Sequence, residues 1–588
     1  MTMLSLVFDI ETDAIKATKV WCIVAQDSGS GQIYKFAPHQ LESGLELLKS
    51  ADTLIGHNIL GFDIPYIKKL LGVDLTSKKL VDTLVLSRLF NPVREGGHSL
   101  GMWGYHPDIN LPKIDFDDYS KYSKEMMAYC VRDVQVNTLV LNVLRKEARG
   151  FSKESIDLEH LIGDIIKQQE VNGFEFNKPK AEKLLAELYK RMAEVENEVH
   201  ETFKPKTVRE EIVPKYTQKG ALSKLGLNLD TRKGVHLSLE EQDMFAKGEK
   251  KIIRTHEEPF NLGSRKQIGE YLQDFGWKPY KFTPTGQPVV DEKMLSRITD
   301  IPEAKLIAEF LLLQKRIAQI ESWINAVEED NRVHGFVIPN GTITGRMSHR
   351  APNMAQVPSL KSPYGKECRA CWTVKKGYKL VGIDASGLEL RMLAHYMKDE
   401  EFTNEIINGD IHTRNQRTAG LQSRDQAKTF IYALLYGAGD AKIGQVVGGS
   451  KKDGARLKER FFANQPSFKR LREKVTRTAA KGFIKGLDGR KIYIRNAHAS
   501  LNSLLQGGGS IVMKKALILL DMNAKDEGLD YKFVANIHDE WQVEVKNEHA
   551  EEFGKIAVQA LKDAGNYFNM NCPLDGEYKI GVDWSETH

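Results

Sequence analysis

The chain has 588 residues, of which 41% are hydrophobic and 28% charged, with a formal net charge of +5. At about 150 residues per domain this length predicts three to four domains of ordinary globular composition. The mild basic excess is compatible with nucleic acid without being diagnostic of it. Five cysteines in so long a chain exclude a disulfide framework and fit a reducing cytosol. Cys368 and Cys371 form a CxxC, but no second Cys or His pair accompanies them, which argues against zinc. No apolar run is expected to reach membrane-spanning length, and the opening "MTMLSLVFDIETD" turns acidic too early for a signal peptide.

In chain order, "LSLVFDIETD" predicts a buried strand running into acids, and Asp9 and Glu11, two apart, leave it on one face. Neighbouring carboxylates raise each other's pKa unless a cation lies between them. "LIGHNILGFDIPYI" supplies Asp63 after a strand-like start. "YSKEMMAYCVRDVQVNTLVLNVL" predicts an amphipathic helix with Tyr129 and Asp133 on one face at i, i+4. Residues 156–203 have a long, charged helical pattern. Residues 204–263 turn irregular, punctuated by Pro205, Pro214, Gly220, Gly226, Gly234 and Pro259, with basic residues outnumbering acidic ones. A structureless loop of that length is improbable, so the segment is either a small folded insert or disordered. Helical pattern returns in "SRKQIGEYLQDFGW" and "EAKLIAEFLLLQKRIAQIESWINAV".

The last third carries a loop, "GTITGRMSHRAPNMAQVP", then "YKLVGIDASGLELRMLAHYM", a buried strand ending at Asp384 with a helix from about Leu388. "RDQAKTFIYALLYG" predicts a helix with Arg424, Lys428, Tyr432 and Tyr436 four apart and Gly437 as its stop. The four form a slanted stripe, drifting by roughly 40° per step: two cations suited to phosphate, then two phenols suited to a base. On spacing alone, a solvated stripe over core aromatics is the favoured reading. "YKFVANIHDEWQVEVK" predicts a hairpin with His538, Asp539 and Glu540 at its turn. If the two strands are neighbours, Asp384 and Asp539 form a metal site; each acid alone also fits a turn residue.

In the first 150 residues "DIE", "HNxxGFD" and "YxxxD" occur in order, and this set resembles the proofreading 3′–5′ exonucleases with an Asp-Glu-Asp-Asp site. The resemblance implies a ribonuclease-H-like fold, two divalent metals held by Asp9, Glu11, Asp63 and Asp133, and Tyr129 orienting the attacking water. Hard oxygen ligands suit Mg²⁺, with Mn²⁺ as a substitute.

Further on, "TGRMSHRAPNMAQVP", "DASGLELR", "RDQAKTFIYALLYGAGDAKIGQ", "LLQGGGS" and "HDE" together resemble the polymerase domain of family A DNA polymerases. "SPYGKECRA" and "KGLDGRKIYIRNAHASLNSLLQ" point to the replicative polymerases of short-tailed bacteriophages. The resemblance covers almost the whole chain. It implies an α/β multidomain protein: exonuclease 1–150, thumb 155–340 with an insertion at about 204–263, palm 341–400 and 501–588, and fingers 401–500. It implies two metals held by Asp384, Asp539 and the carbonyl of Ala385, with Glu540 beside them in the catalytic group. His412, Arg424 and Lys428 would bind the triphosphate, and Tyr432 the sugar and base. Glu389, held by a hydrogen bond to Tyr432, would exclude a ribose 2′-hydroxyl. Tyr436 would stack at the templating position; Arg346, Gln506 and His538 would touch the primer–template minor groove. The implied partners are primer–template DNA, dNTPs, host thioredoxin or another processivity factor, and a phage helicase-primase and single-stranded DNA-binding protein, in the cytoplasm of an infected bacterium and with no membrane. The rivals are a single-subunit RNA polymerase, a DNA-binding protein with a decayed site, and a cellular repair polymerase.

Overall fold

A computed structural model of the chain describes residues 3–295 and 297–588. It divides into two compact units, one formed by Met1–Lys178 with Ala326–His588 and the other by Pro179–Asn325.

The first unit contains two sheets that matter for the chemistry. One has five strands in the order Ile33–Phe36, Val20–Asp27, Ser5–Thr12, Thr53–Gly56, Lys79–Asp82. The first three pair antiparallel and the last two join in parallel. Both faces of strand Ser5–Thr12 are covered, which is why its sequence is a nearly continuous apolar run. Leu6, Phe8 and Ile10 pack on one side with Ile64 and Ile67 of helix Asp63–Leu71. Val7 packs on the other with Cys130, Val134 and Leu141 of helix Lys124–Glu147. By the two-residue period of a strand, Asp9 and Glu11 share the Val7 face and point toward that helix.

The other sheet has four antiparallel strands in the order Tyr531–Ile537, Glu540–Lys546, Tyr378–Ala385, Gly576–Gly581. Helices Ser500–Asp526 and Ala550–Tyr567 share one large apolar core with it, through Val381, Ile383, Leu517, Trp541, Val543 and Phe553. The stretch Ala497–Asp526 is long and apolar enough to cross a membrane by length and composition, contrary to the sequence expectation. Its hydrophobicity is used otherwise, since 78% of its apolar window is buried inside the protein.

Buried ion pairs tie residues before 178 to those after 326. Glu159 accepts from Lys514 Nζ at 2.6 and 2.9 Å and from Arg490 Nη1 at 2.5 Å. Arg490 Nε also binds Asp488 at 2.8 and 3.0 Å. Arg332 joins Glu175 at 3.0 Å to Glu544 at 3.1 Å. Burial pulls the Lys514 ammonium down to about 8 even with Glu159 beside it.

In the second unit, helices Lys178–Thr202 and Pro302–Asn325 are joined by an Arg191–Glu309 pair at 2.7 and 3.1 Å. Between them lies a four-stranded antiparallel sheet in the order Ile252–Glu258, Lys206–Tyr216, Leu222–Asn228, Gly234–His236, with helix Leu239–Ala246. Its core is small: Ile212, Leu237, Phe245 and Ile252. Residues 204–263 are therefore a small folded insert, one of the two alternatives the sequence left open, and its regular sheet lies beneath a sequence pattern that reads as irregular. The expected helical stretch 156–203 is also divided. Gly173, with φ of 61°, ends helix Lys153–Asn172, and strand Phe174–Glu175 pairs with Arg332–Val333 before the next helix starts. Helix Lys153–Asn172 and residues 326–340 belong to the first unit, so the compact second unit is shorter than the expected 155–340 segment.

Replacing Glu159 with Ala leaves two buried cations without their shared anion. The expected cost is about 3–5 kcal/mol, measured as a lower denaturation midpoint of the full chain.

Candidate active sites

The first acid set forms where strand Ser5–Thr12, the start of helix Asp63–Leu71 and helix Lys124–Glu147 meet. Asp63 Oδ1 accepts the Ile10 N–H at 3.1 Å, which fixes it beside the strand that carries Asp9 and Glu11. Ligand atoms of Asp9, Glu11 and Cys130 lie within 4.8 Å of one another. Cys130 Sγ sits 3.6 Å from Asp9 Oδ2. Asp133 is buried and its Oδ1 has no hydrogen-bond partner; its Oδ2 is paired with Lys113. Lys113 Nζ also donates to the Tyr129 hydroxyl at 2.6 Å and lies 4.5 Å from that ring's centroid. Sequence reasoning named Tyr129 and all four acids but missed Lys113 and Cys130.

Burial dominates the electrostatics here. It raises Asp9, to which Asp63 and Glu11 add their charges. It pushes Glu11 up to about 9, with help from the Cys22 thiol and Asp133, and Asp63 up to about 7. Asp133 is raised by burial despite the Lys113 ammonium. Asp9 and Glu11 lie within ligand reach of each other, while Asp63 and Asp133 act on Asp9 by charge without joining that 4.8 Å group; these carboxylates, with the unsatisfied oxygen of Asp133, fit a hard divalent cation.

The second acid set lies at strand ends of the four-stranded sheet. Asp384 is opposite Glu540 and Glu577. His538 and Asp539 form the hairpin turn, with His538 at φ 58°, and the Ala385 N–H donates to the Asp539 carbonyl at 3.0 Å. The strands are therefore neighbours. Partial desolvation, then the charges of Asp539 and Glu540, push Asp384 up to about 7. Asp539 is raised by burial and then by Glu389.

Glu540 differs from the expectation of a turn residue: it is the buried first residue of its strand. Its Oε1 accepts from Trp584 Nε1 at 2.6 Å and Gln542 Nε2 at 2.7 Å, and its Oε2 pairs with His588 Nδ1 at 2.8 Å. Burial opposes its charge, but the His588 contact, Arg369 and Trp584 hold its pKa below the ordinary value. With both oxygens engaged, Glu540 fastens the C-terminal residues to the sheet. Gly382 permits this close crossing, because a Cβ there would meet the Thr587 carbonyl at 2.1 Å. His588 thus belongs to the site's surroundings, a residue the sequence reading left without a role.

Helix Arg424–Leu435 is capped by Ser423, and Gly437 follows at φ 72°. Ala427, Phe430, Ile431 and Leu434 bury its inner face. Arg424 and Lys428 are exposed, Tyr432 is half-buried, and the Tyr432 and Tyr436 rings stack at 6.5 Å. His412 lies 6.3 Å from the Tyr432 ring. Burial, then the charges of Arg424 and Lys428, lower the His412 pKa, so the three basic groups converge. Arg424 Nε holds Asp410 at 2.6 Å.

Glu389 pairs with Arg346 Nη2 at 3.0 Å and not with Tyr432 as expected. A full opposite charge within reach outcompetes a neutral phenol. Burial, then the Glu389 charge, still push Tyr432 up to about 12. Arg346 and His538 line one small cavity with Ser510, Lys514 and Asn536. Gln506 is half-buried on helix Ser500–Asp526.

Residues 233–586 match the model of DNA polymerase family A. The chain belongs to that family. This family A polymerase is 34% identical to the DNA-directed DNA polymerases of Enterobacteria phage T3 and Escherichia phage T7, over 99% of its length and 100% of theirs. It is 27% identical to the thermostable DNA polymerase I of Thermus aquaticus, over 61% of this chain and 46% of that one. Its fold resembles the POL domain of Pol1 from M. smegmatis in complex with DNA primer-template and dNTP, with a TM-score of 0.76 at 18% identity, covering 100% of this chain and 96% of that one. The family match contains the second acid set and helix Arg424–Leu435. The first acid set lies before it, within the stretch shared with the phage relatives.

The raised acids of the first set carry a pH signature. A carboxylic acid that holds its proton more tightly when folded makes stability fall as pH rises from the ordinary carboxylate range through the folded pKa. For Asp63 and Glu11 that window extends to about 7 and about 9. In chelator-treated polymerase, melting temperature should fall across the window. Glu11→Gln should flatten the slope, and adding Mn²⁺ to the unaltered protein should reverse it.

Proposed function

We propose that the chain is a DNA-directed DNA polymerase with a 3′–5′ proofreading exonuclease, and that it replicates a phage genome in the cytoplasm of an infected bacterium. The observation that carries the synthesis reading is the juxtaposition of Asp384 and Asp539 at neighbouring strand ends. The Asp539 charge acts on Asp384, the Glu389 charge acts on Asp539, and both Glu389 and Asp539 act on the Tyr432 hydroxyl. The phage relatives, named as DNA-directed DNA polymerases, support it.

In this reading residues 341–400 and 501–588 are the palm, 401–500 the fingers, and the segment around 155–340 the thumb. Asp384, Asp539 and the Ala385 carbonyl would hold two Mg²⁺, or Mn²⁺, as would Asp9, Glu11, Asp63 and Asp133. Bound there, such ions acidify the attacking hydroxyl or water and neutralise charge on the phosphate oxygens. The chain's own residues do the rest. Arg424, Lys428 and His412 bind the triphosphate, where positive charge offsets that developing on the leaving pyrophosphate. Tyr432 packs against the sugar, and Tyr436 stacks on the template. Glu389 blocks the 2′ position and is braced by Arg346. Arg346, Gln506 and His538 check minor-groove acceptors common to every correct pair. Tyr129 orients the attacking water of digestion. The five-stranded mixed sheet with acids on its central strand supports a ribonuclease-H-like exonuclease.

The folded insert at 204–263 is assigned a processivity role, toward host thioredoxin, another factor, or DNA itself. A tether raises effective concentration without new catalytic contacts. The helicase-primase and single-stranded DNA-binding protein of the phage are its expected neighbours at a fork.

Asp384→Ala or Asp539→Ala should abolish primer extension and leave digestion of single-stranded DNA intact. Asp9→Ala with Glu11→Ala should do the reverse, and parallel loss of both activities in either mutant would contradict two separate sites. Tyr432→Phe should raise discrimination against dideoxynucleotides by roughly tenfold to a hundredfold, the value of one hydrogen bond to a charged group; an unchanged incorporation ratio would remove the phenol from that role. Replacing 204–263 with a short Gly-Ser linker should shorten the product made per binding event while single-nucleotide addition persists.

A further inference from the structure

Lys113, like Cys130, is a feature of the first acid set that the proposed function leaves unused. It stands on a stretch, residues 112–119, without helix or strand. Side chains hold this strap at both ends. Arg132 Nη1 donates to the Pro112 carbonyl at 2.8 Å, and Trp21 Nε1 donates to the Tyr119 carbonyl at 3.0 Å. Gly104 lets the strap lie close, since a Cβ there would meet the Leu111 carbonyl at 2.8 Å. Phe116 and Tyr119 pack against the Tyr129 ring at 5.5 and 6.4 Å. The strap thus delivers one ammonium to the hydroxyl of Tyr129 and to Asp133 Oδ2.

This is not an ordinary surface pair. The Asp133 side chain is 7% exposed and that of Lys113 is 25% exposed. The Lys113 charge acts on Asp9, Glu11 and Asp133 together, lowering the cost of gathering three carboxylates. Asp133 Oδ1 meanwhile is buried without a partner. Asp133 therefore presents one oxygen held by a tethered cation and one oxygen free for another. A divalent ion on the same carboxylate would repel the ammonium at close range in a poorly solvated setting.

We propose that Lys113 is a tethered counter-cation of the first acid set, and that a divalent metal binds at Asp133 by displacing it. The inference rests on the reading of that set as a metal centre. Lys113 sets how tightly metal is held there. Because it also holds the Tyr129 hydroxyl, its displacement couples metal binding to the position of the phenol. Lys113 is a positioning residue, acting through Asp133 and Tyr129.

The test uses the full chain carrying Asp384→Asn and Asp539→Asn, so that the other acid set is silenced, with Mn²⁺ binding followed by electron paramagnetic resonance. Lys113→Met keeps the aliphatic stem and removes the charge. It should tighten Mn²⁺ binding by roughly fivefold, the weight of one partly exposed ion pair, whereas Lys113→Arg should leave it weak. Equal or weaker binding by Lys113→Met overturns the proposal. Adding Asp9→Asn with Glu11→Gln separates the two claims: if Mn²⁺ binding survives that change, the metal reading fails and this inference with it. A second measurement needs no change at Lys113. Labelling of its amine by a lysine-directed reagent, read by peptide mass spectrometry, should accelerate when Mn²⁺ is added. Unchanged or slower labelling overturns the displacement.

Discussion

Carboxylates that repel one another have to be held together, and that constraint organises both halves of the first unit. Each acid set is built around a strand whose neighbours leave little room to relax. Asp9 and Glu11 ride on a strand packed on both faces. Asp63 is tied to that strand's backbone through Ile10, and Asp539 is tied to Ala385. Packed interiors resist the small movements that would let the acids separate. Burial first, and then the neighbouring charges, raise the pKa values: Asp63 is pushed up to about 7 by burial, and Asp384 to about 7 by burial with Asp539 and Glu540 adding their charges. Strand pairing and core packing supply the stability against which this crowding is set.

What could be read from the sequence was whatever lay close together along it. Asp9 and Glu11 are two apart on a strand, Tyr129 and Asp133 four apart on a helix, and Arg424 through Tyr436 follow one helical stripe. Each was legible because backbone periodicity fixes which residues share a face. The helix from Leu388 and the Gly437 stop followed local rules as well. Contacts made across long loops were not legible. Lys113 reaches Asp133 from a strap without periodicity, and His588 reaches Glu540 across 48 positions, by subtraction of 540 from 588. The Arg346–Glu389 pair lies between two motifs that had been read separately.

The insert shows a different limit. Strand Lys206–Tyr216 has Val208, Glu210 and Ile212 in sequence with charged neighbours, and Pro214 sits within it. Its sheet has one small apolar face, so hydrophobic alternation is weak and the turn residues dominate the pattern. The membrane-length helix shows the converse. Helix Ser500–Asp526 is apolar nearly all round because several core elements surround it. Composition alone does not distinguish protein from lipid as the surrounding medium.

Burial separates the ion pairs into two kinds. Glu159 and Lys514 have side chains 0% and 2% exposed, and their exchange for any ligand would strand charges in the core. Arg424 and Asp410 are 52% and 41% exposed, where a pair is worth about 0–1 kcal/mol. Arg424 can thus leave Asp410 for a more highly charged anion at little cost, and until then Asp410 keeps its guanidinium oriented. Arg346 with Glu389, at 20% and 17%, and Lys113 with Asp133, at 25% and 7%, lie between these extremes. Such intermediate pairs are strong enough to define one arrangement and weak enough to be traded for a ligand. Among these four pairs the least exposed, Glu159 with Lys514, joins distant segments of the fold, and the other three lie, in the proposed function, where metal, nucleotide or DNA would compete for them.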